Sequence, residues 1–274
     1  VLLLLLLWLL LLSSAAGTMF LCCQASNDSQ ADVVDLSFHK ISESRPTHMY
    51  PNGSTYSGEW LSSVRHGYGV QIWADGARYE GNWQNDMADG QGRFEHTDGD
   101  VYEGGWLNDK AHGVGTYAHA SGSTYTGQWE DDKQNGTGEE TWPDGAKYVG
   151  QYKAGMKSGD GAFSWSDGSS YRGLFQDNDI HGQGTYGWED GRVFEGQWDK
   201  NRMHGHGKFR WADGRQYEGS YVNDQKDGRG RFEWPDGRSY DGEWKDGKQN
   251  GNGTFTNLKG EQKTGEWADG RRKS

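Results

Sequence analysis

Tyr217 to Trp244, YEGSYVNDQKDGRGRFEWPDGRSYDGEW, decides how the whole chain is read. It opens with Tyr217-Glu218-Gly219-Ser220-Tyr221 and closes with Tyr240-Asp241-Gly242-Glu243-Trp244, the same pattern 23 residues later. Outward from there, units begin at Tyr56, Tyr79, Tyr102, Tyr125, Tyr148, Tyr171, Phe194, Tyr217 and Tyr240. The third position is always Gly, from Gly58 to Gly242, and the fifth is always aromatic, from Trp60 to Trp244. A Gly-x-Gly follows near mid-unit, as in His66-Gly67-Tyr68-Gly69, and Asp-Gly precedes the next start. A fixed period of this length marks an array of small units that share one shallow, continuous core.

Period-two alternation with aromatics on one side reads as strands. Trp234-Pro235-Asp236-Gly237-Arg238 reads as a turn, since Pro presets φ, Asp bonds locally and Gly accepts the left-handed region. A three-residue hairpin loop there pairs Trp234 with Arg238, Phe232 with Tyr240, Gly230 with Gly242 and Gly228 with Trp244. The same register pairs Phe94 with Tyr102, Tyr117 with Tyr125, Phe163 with Tyr171, Tyr186 with Phe194 and Phe209 with Tyr217. Glycine weakens a strand interior by roughly 0.5–1 kcal/mol, so its repetition needs a steric reason. Rings lying over bare backbone provide one. The other face, with Glu80, Glu103, Glu195, Glu218, Arg231 and Glu233, is expected to be wet. The expected fold is all-β, an elongated single-layer antiparallel meander of hairpins with an N-terminal apolar segment. At about 4.8 Å per strand, nine units extend roughly 85 Å.

Composition agrees. Glycine (44) and tryptophan (14) are abundant, and aliphatics are scarce beyond the first residues. The net charge of −12 disfavours nucleic acid, whose binding needs Lys and Arg on phosphates. It also weakens attraction to anionic lipid. Residues 1–23 are apolar and read as a signal peptide or a membrane anchor, which places the protein at a membrane or in the secretory pathway. Cys22 and Cys23 end that segment, and palmitoylation beside an anchor would use them. Residues 24–49 read as a polar linker, 50–270 as the array and 271–274 as a basic tail.

The pattern Tyr-x-Gly-x-Trp, Gly-x-Gly and Asp-Gly at a 23-residue step resembles the MORN (membrane occupation and recognition nexus) repeat. The resemblance covers most of the chain. It implies β-hairpin arrays and, in some members, an aromatic groove that holds a partner peptide. It also brings in lipid contact, claimed for the family though not for every member. Members include junctophilins, protist cytoskeletal scaffolds, plant phosphatidylinositol-phosphate kinases and a lysine methyltransferase. This chain departs from the pattern at Lys263 and at His96, His119 and Asn257, which replace the second-strand Trp. The stripe is therefore expected to be most continuous from Trp142 to Trp234.

Chemistry within the array is sparse. His66, His112, His181 and His204 share one slot in separate units, and four zinc ligands must converge on one point. They read as structural turn residues. Asp131-Asp132-Lys133 and Asp177-Asn178-Asp179 lack the spacing of a calcium loop. The Gly-x-Gly matches lack a strand-to-helix context and a following Gly-Lys-Ser. No catalytic residue, metal or cofactor is assigned.

The expected function is a non-catalytic scaffold that takes a protein segment, a peptide or a helix, in its aromatic groove, with membrane lipid as a further candidate partner. The groove residues are Trp142, Trp165, Trp188, Trp211 and Trp234, with Tyr148, Tyr171, Phe194, Tyr217 and Tyr240 beside them. The bland alternative is that these rings only cover the sheet's own glycines. Other readings are the regulatory region of a larger enzyme (a lipid kinase or SET-type methyltransferase), a phospholipid-binding module, and a carbohydrate binder with Trp platforms.

Overall fold

The computed structural model describes residues 42–273, and every regular element among them is a strand. Twenty-one strands form one sheet, each antiparallel to its neighbours in sequence. A unit is a seven-residue strand and a nine-residue strand, as in β2 (Thr55–Leu61) and β3 (Val64–Ile72). The hairpin meander expected from the repeat is the fold observed.

The register expected for the eighth unit is also observed. Phe232 pairs with Tyr240, Gly230 with Gly242 and Gly228 with Trp244. The loop closes with Trp234 N–H donating to Arg238 O at 2.9 Å and Gly237 N–H donating to Trp234 O at 2.9 Å. The five other ring pairs derived from that register are present as well.

The mid-unit glycines are required by contact. Tyr79 lies over Gly81 of its own strand and Gly92 of the next. A Cβ on Gly92 would stand 2.3 Å from the Tyr79 hydroxyl oxygen, and one on Gly81 would stand 2.4 Å from Gly92 Cα. Beside this pair the ladder carries a bulge: three residues, 89–91, face the single residue Asn82. The Tyr79 hydroxyl donates to the Asn82 carbonyl there at 2.9 Å. The motif recurs, with Tyr148 donating to Gln151 O at 3.0 Å and Tyr217 to Ser220 O at 3.2 Å. The indole N–H reaches back one strand: Trp83 Nε1 donates to Gly69 O at 3.2 Å and Trp244 Nε1 to Gly230 O at 2.9 Å.

Two-residue turns close the hairpins at the other end. Asn85 (φ 51) and Asp86 (φ 68) both take the left-handed region, as such turns require. So do Asp131 and Asp132, the acidic pair set aside above as a calcium loop. The second turn residue also ties units together. Asp86 Oδ1 accepts from Arg65 N–H at 2.7 Å, while Asp86 N–H donates to Arg65 O at 3.0 Å. Asp109, Asp132, Asn178, Asn201 and Asp224 repeat the side-chain bond. Gly155 keeps only the backbone half, donating to Gln134 O at 2.8 Å.

Two boundaries differ from the sequence reading. Glu43–Met49, read as linker, is β1, an exposed edge strand on β2. It escaped notice because it carries Pro46 where the other units have their mid-unit glycine, and its register slips between Arg45 and His48. Trp60 consequently has a buried Nε1 with no acceptor. In the basic tail, Arg271 and Arg272 pair with Ala268 and Trp267. The apolar segment 1–23 and most of the linker lie outside the described residues.

These contacts set two opposite expectations for urea unfolding. Gly161→Ala drives a methyl to 2.5 Å from the Tyr148 hydroxyl oxygen, so it lowers stability by about 1–3 kcal/mol. Gly155→Asn faces open space, and its φ of +87 is near the 74 that Asn178 holds at the same turn position. It restores the missing side-chain bond against a small left-handed penalty, so it raises stability by about 0.5–1 kcal/mol. Shifts of the same sign in both variants would refute this account of the glycines.

Candidate functional site

The aromatic face has two rows. The inner row holds the first and fifth residues of each unit. Each first ring is flanked edge-on by two fifth-position rings: Tyr79 lies 5.0 Å from Trp83 and 5.2 Å from Trp106, at 85° and 86°. With glycines beneath and rings on both sides, one layer suffices to seal the phenols. Tyr148, Tyr217 and Tyr240 are 0% exposed and Tyr171 is 1%. Burial pushes the Tyr148 hydroxyl up to about 12. The sequence reading set Tyr148, Tyr171, Phe194, Tyr217 and Tyr240 beside the tryptophans on the groove surface. The structure places them underneath, as the floor.

The outer row comes from the second strands and the loops that follow. Trp142, Trp165, Trp188, Trp211 and Trp234 are all half-buried and pack on the inner row. Between them stand Phe163 and Tyr186, also half-buried, and Phe209 and Phe232, which are buried; the sequence reading paired all four correctly but did not assign them to this row. Ring centroids follow one another at 5.3 Å (Trp142–Phe163), 4.4 Å (Phe163–Trp165), 5.2 Å (Trp165–Tyr186) and 4.5 Å (Tyr186–Trp188). The series continues through Phe209, Trp211, Phe232 and Trp234 to Phe255. The signal for it was available: an aromatic two residues before Trp165, Trp188, Trp211 and Trp234 shares the face of each.

The interruption expected at His96 and His119 falls elsewhere. Their imidazoles carry the ring series on, with Phe94–His96 at 4.5 Å and Tyr117–His119 at 4.7 Å. Asp100 holds His119 in place. Its carboxylate accepts from Ala120 N–H at 2.8 Å and Tyr117 Oη at 2.7 Å and lies 3.0 Å from His119 Nδ1. Those hydrogen bonds, Ala120 first, lower the carboxyl pKa. The break is at Glu140, where an aromatic is expected. Glu140 accepts from Tyr152 Oη at 2.9 Å and from Lys157 Nζ at 2.6 Å.

One slot, facing the fifth-position ring across the hairpin, varies from unit to unit. It holds Arg65, Ala88, Ala111, Gln134, Lys157, Ile180, Met203, Lys226 and Gln249. Where it is alanine, the face sinks into a hollow of about 590 Å³ between Trp73 and Trp129, with Phe94, His96 and Tyr117 on its wall. That hollow is in the half of the array the sequence reading did not favour. In the other half, Lys226 covers the rings, and Arg192, Arg215 and Arg238 lie over Trp188, Trp211 and Trp234 at 5.2–5.4 Å.

The histidine slot lies on the other face. His181 Nδ1 is 3.4 Å from Asp199, and the Nδ1 atoms of His66, His112 and His204 are buried without partners. No three His, Cys, Asp or Glu side chains among the described residues gather as a metal group.

A single sheet of hairpin repeats, glycine-floored and aromatic on one face, defines the class: a β-repeat array. The chain belongs to the MORN-repeat family, whose repeat matches at nine consecutive segments from 56–78 to 240–260. No curated protein sequence matches it. Among solved structures it is similar to the TCP10 domain of Danio rerio CPAP in complex with a STIL peptide. Identity is 11% and the TM-score 0.42, over 81% of this chain and 99% of that one. It is also similar to the Drosophila melanogaster SAS-4 TCP domain in complex with a proline-rich motif of Ana2. Identity there is 14% and the TM-score 0.35, over 73% of this chain and 99% of that one.

Lys226 gives the site a pH signature. Burial among rings, and secondarily Arg215, lower its ammonium pKa to about 8. A folded value below the ordinary lysine value means that the unfolded chain binds the extra proton between the two. Stability therefore rises with pH from about 8 toward 10, until ionisation of tyrosines in the unfolded chain reverses the trend. Melting temperatures of native protein are expected to climb between about pH 7.5 and 9 and then fall, and those of Lys226→Met to lack the climb. A parallel climb in both would remove Lys226 as the cause.

Proposed function

We propose that this protein is a non-catalytic scaffold that holds a segment of a partner protein along its outer aromatic row. The observation that supports this reading is the half-burial of Trp142, Trp165, Trp188, Trp211 and Trp234. The inner row already seals the glycines, so these indoles are not needed as its cover, and contiguous exposed aromatic surface is typical of contact sites. The hollow beside Ala88 and Ala111 would receive the segment's bulkiest side chain. The geometry offers rigid platforms with few flexible groups, which suits capture rather than turnover.

Random peptides displayed on phage and selected against the full chain provide a probe. Selected peptides are expected to bind Trp188→Ala/Trp211→Ala at least about tenfold more weakly, at the scale of an interface hot spot. They should bind an outward Val149→Thr control normally. Thermal melts of both variants check that the sheet persists. Peptides held equally by native and double variant, with the fold intact, would refute the groove. The apolar run Val1–Leu12 supports placing this scaffold at a membrane or in the secretory pathway, and a fluorescent fusion of residues 1–49 is expected to localise there.

A further inference from the structure

Lys157 and Lys226 occupy the same slot in the fifth and eighth units, facing Tyr152 and Tyr221 across their hairpins. The surroundings of the two ammonium groups differ above all in the counter-ion. Lys157 Nζ lies over Trp142, Tyr148 and Tyr152 at 5.1–5.6 Å and is neutralised by Glu140 at 2.6 Å. Lys226 Nζ lies over Trp211, Tyr217, Phe232 and Trp244 at 4.9–5.2 Å. Among the described residues it has no carboxylate within salt-bridge distance. Its neighbour Asp227 is held by Lys245 at 2.8 Å. The position equivalent to Glu140 is Phe209, part of the ring series. The chain has thus closed its own source of a counter-ion. The Tyr221 hydroxyl, whose counterpart in Tyr152 donates to Glu140, is buried with no partner.

Ring faces attract a cation but do not neutralise it, and a half-buried ammonium gains most from a second, charge-assisted partner. We infer that Lys226 is the specificity point of the aromatic face, where an acidic side chain of the bound protein segment supplies the carboxylate that Glu140 supplies to Lys157. This rests on the reading of the face as a protein-binding surface and names one feature of the partner: an Asp or Glu flanked by apolar residues that lie on Trp211 and Trp234. The overall charge of −12 does not oppose this at contact distance, because salt screens fields beyond about 8–10 Å. Arg192, Arg215 and Arg238 stand on the same face, each over an indole, but each is already paired with the aspartate two residues before it, so the unpaired ammonium of Lys226 carries the argument.

The test uses the full chain and the phage-selected peptides, made synthetically in acidic and amide forms (Asp→Asn or Glu→Gln). The variant is Lys226→Met, which installs the residue that the preceding unit already carries at this slot, Met203. Selected peptides are expected to share an acidic position. The amide form should bind native protein about tenfold more weakly and bind Lys226→Met no more weakly than the acidic form does. An amide form that binds native protein equally well overturns the inference. So does an acid preference that survives Lys226→Met, since the carboxylate is then read elsewhere. Phosphatidylserine vesicles that bind native protein but not Lys226→Met, while peptides ignore the substitution, would assign the ammonium to a headgroup and also overturn it. Peptide binding that survives Trp188→Ala/Trp211→Ala would instead sink the face itself. Binding lost there, with acid preference independent of Lys226, sinks only the carboxylate.

Discussion

A phenol ring pressed onto two bare Cα atoms governs this sheet. Tyr79 fixes the spacing of two strands because nothing larger than hydrogen fits beneath it at Gly81 and Gly92. Its hydroxyl then satisfies a carbonyl within the bulge, at Asn82. A buried phenol without that acceptor would carry a desolvation cost of about 1–3 kcal/mol. Burial of the ring, absence of two side chains and satisfaction of the hydroxyl are one arrangement, repeated along the array. Phe194 shows which part is dispensable. It keeps the ring over Gly196 and Gly207 and loses the hydroxyl, and it is still 0% exposed.

Because the phenols and first-strand indoles complete the glycine cover by themselves, the outer row is released from that task. Edge-to-face contacts lock the inner rings, each worth about 0.5–1.5 kcal/mol beyond area burial. From Trp142 to Trp234 the outer rings meet one another in stacked and tilted geometry, with Phe163–Trp165 at 28° and Tyr186–Trp188 at 50°. The tryptophans from Trp142 to Trp234 thus differ from the fully buried first-position rings in both geometry and exposure.

The period, the hairpin register and the aromatic side were legible in the sequence because each is a local rule. Pro235-Asp236-Gly237 determines a loop, the loop determines a register, and the register puts Phe232 on Tyr240. The division into rows was not legible, since Tyr240 and Trp234 look alike on a period-two pattern. Only the position of the neighbouring unit makes Tyr240 fully buried and leaves Trp234 half-buried. The break at Glu140 was hidden for a related reason. A lone acid in a strand reads as wet until Tyr152 and Lys157 are seen to enclose it. β1 was missed because Pro46 and the absence of glycine erase the repeat signature, although the backbone still pairs with β2.

The array consequently keeps its frame constant and concentrates its variation in one slot per unit. Alanine there, at Ala88 and Ala111, leaves a hollow; Ile180 and Met203 fill it with apolar surface; Lys226 fills it with charge. Each of these changes leaves the Tyr, the glycine pair and the strand register in place. A repeat protein built this way can alter depth and charge along its face one unit at a time. Nearest-neighbour coupling confines the consequence of each change to the adjoining hairpins. Lys157 with Glu140 shows the limit of that freedom: a charge among rings was retained there together with its own counter-ion, at the expense of one rung of the ladder.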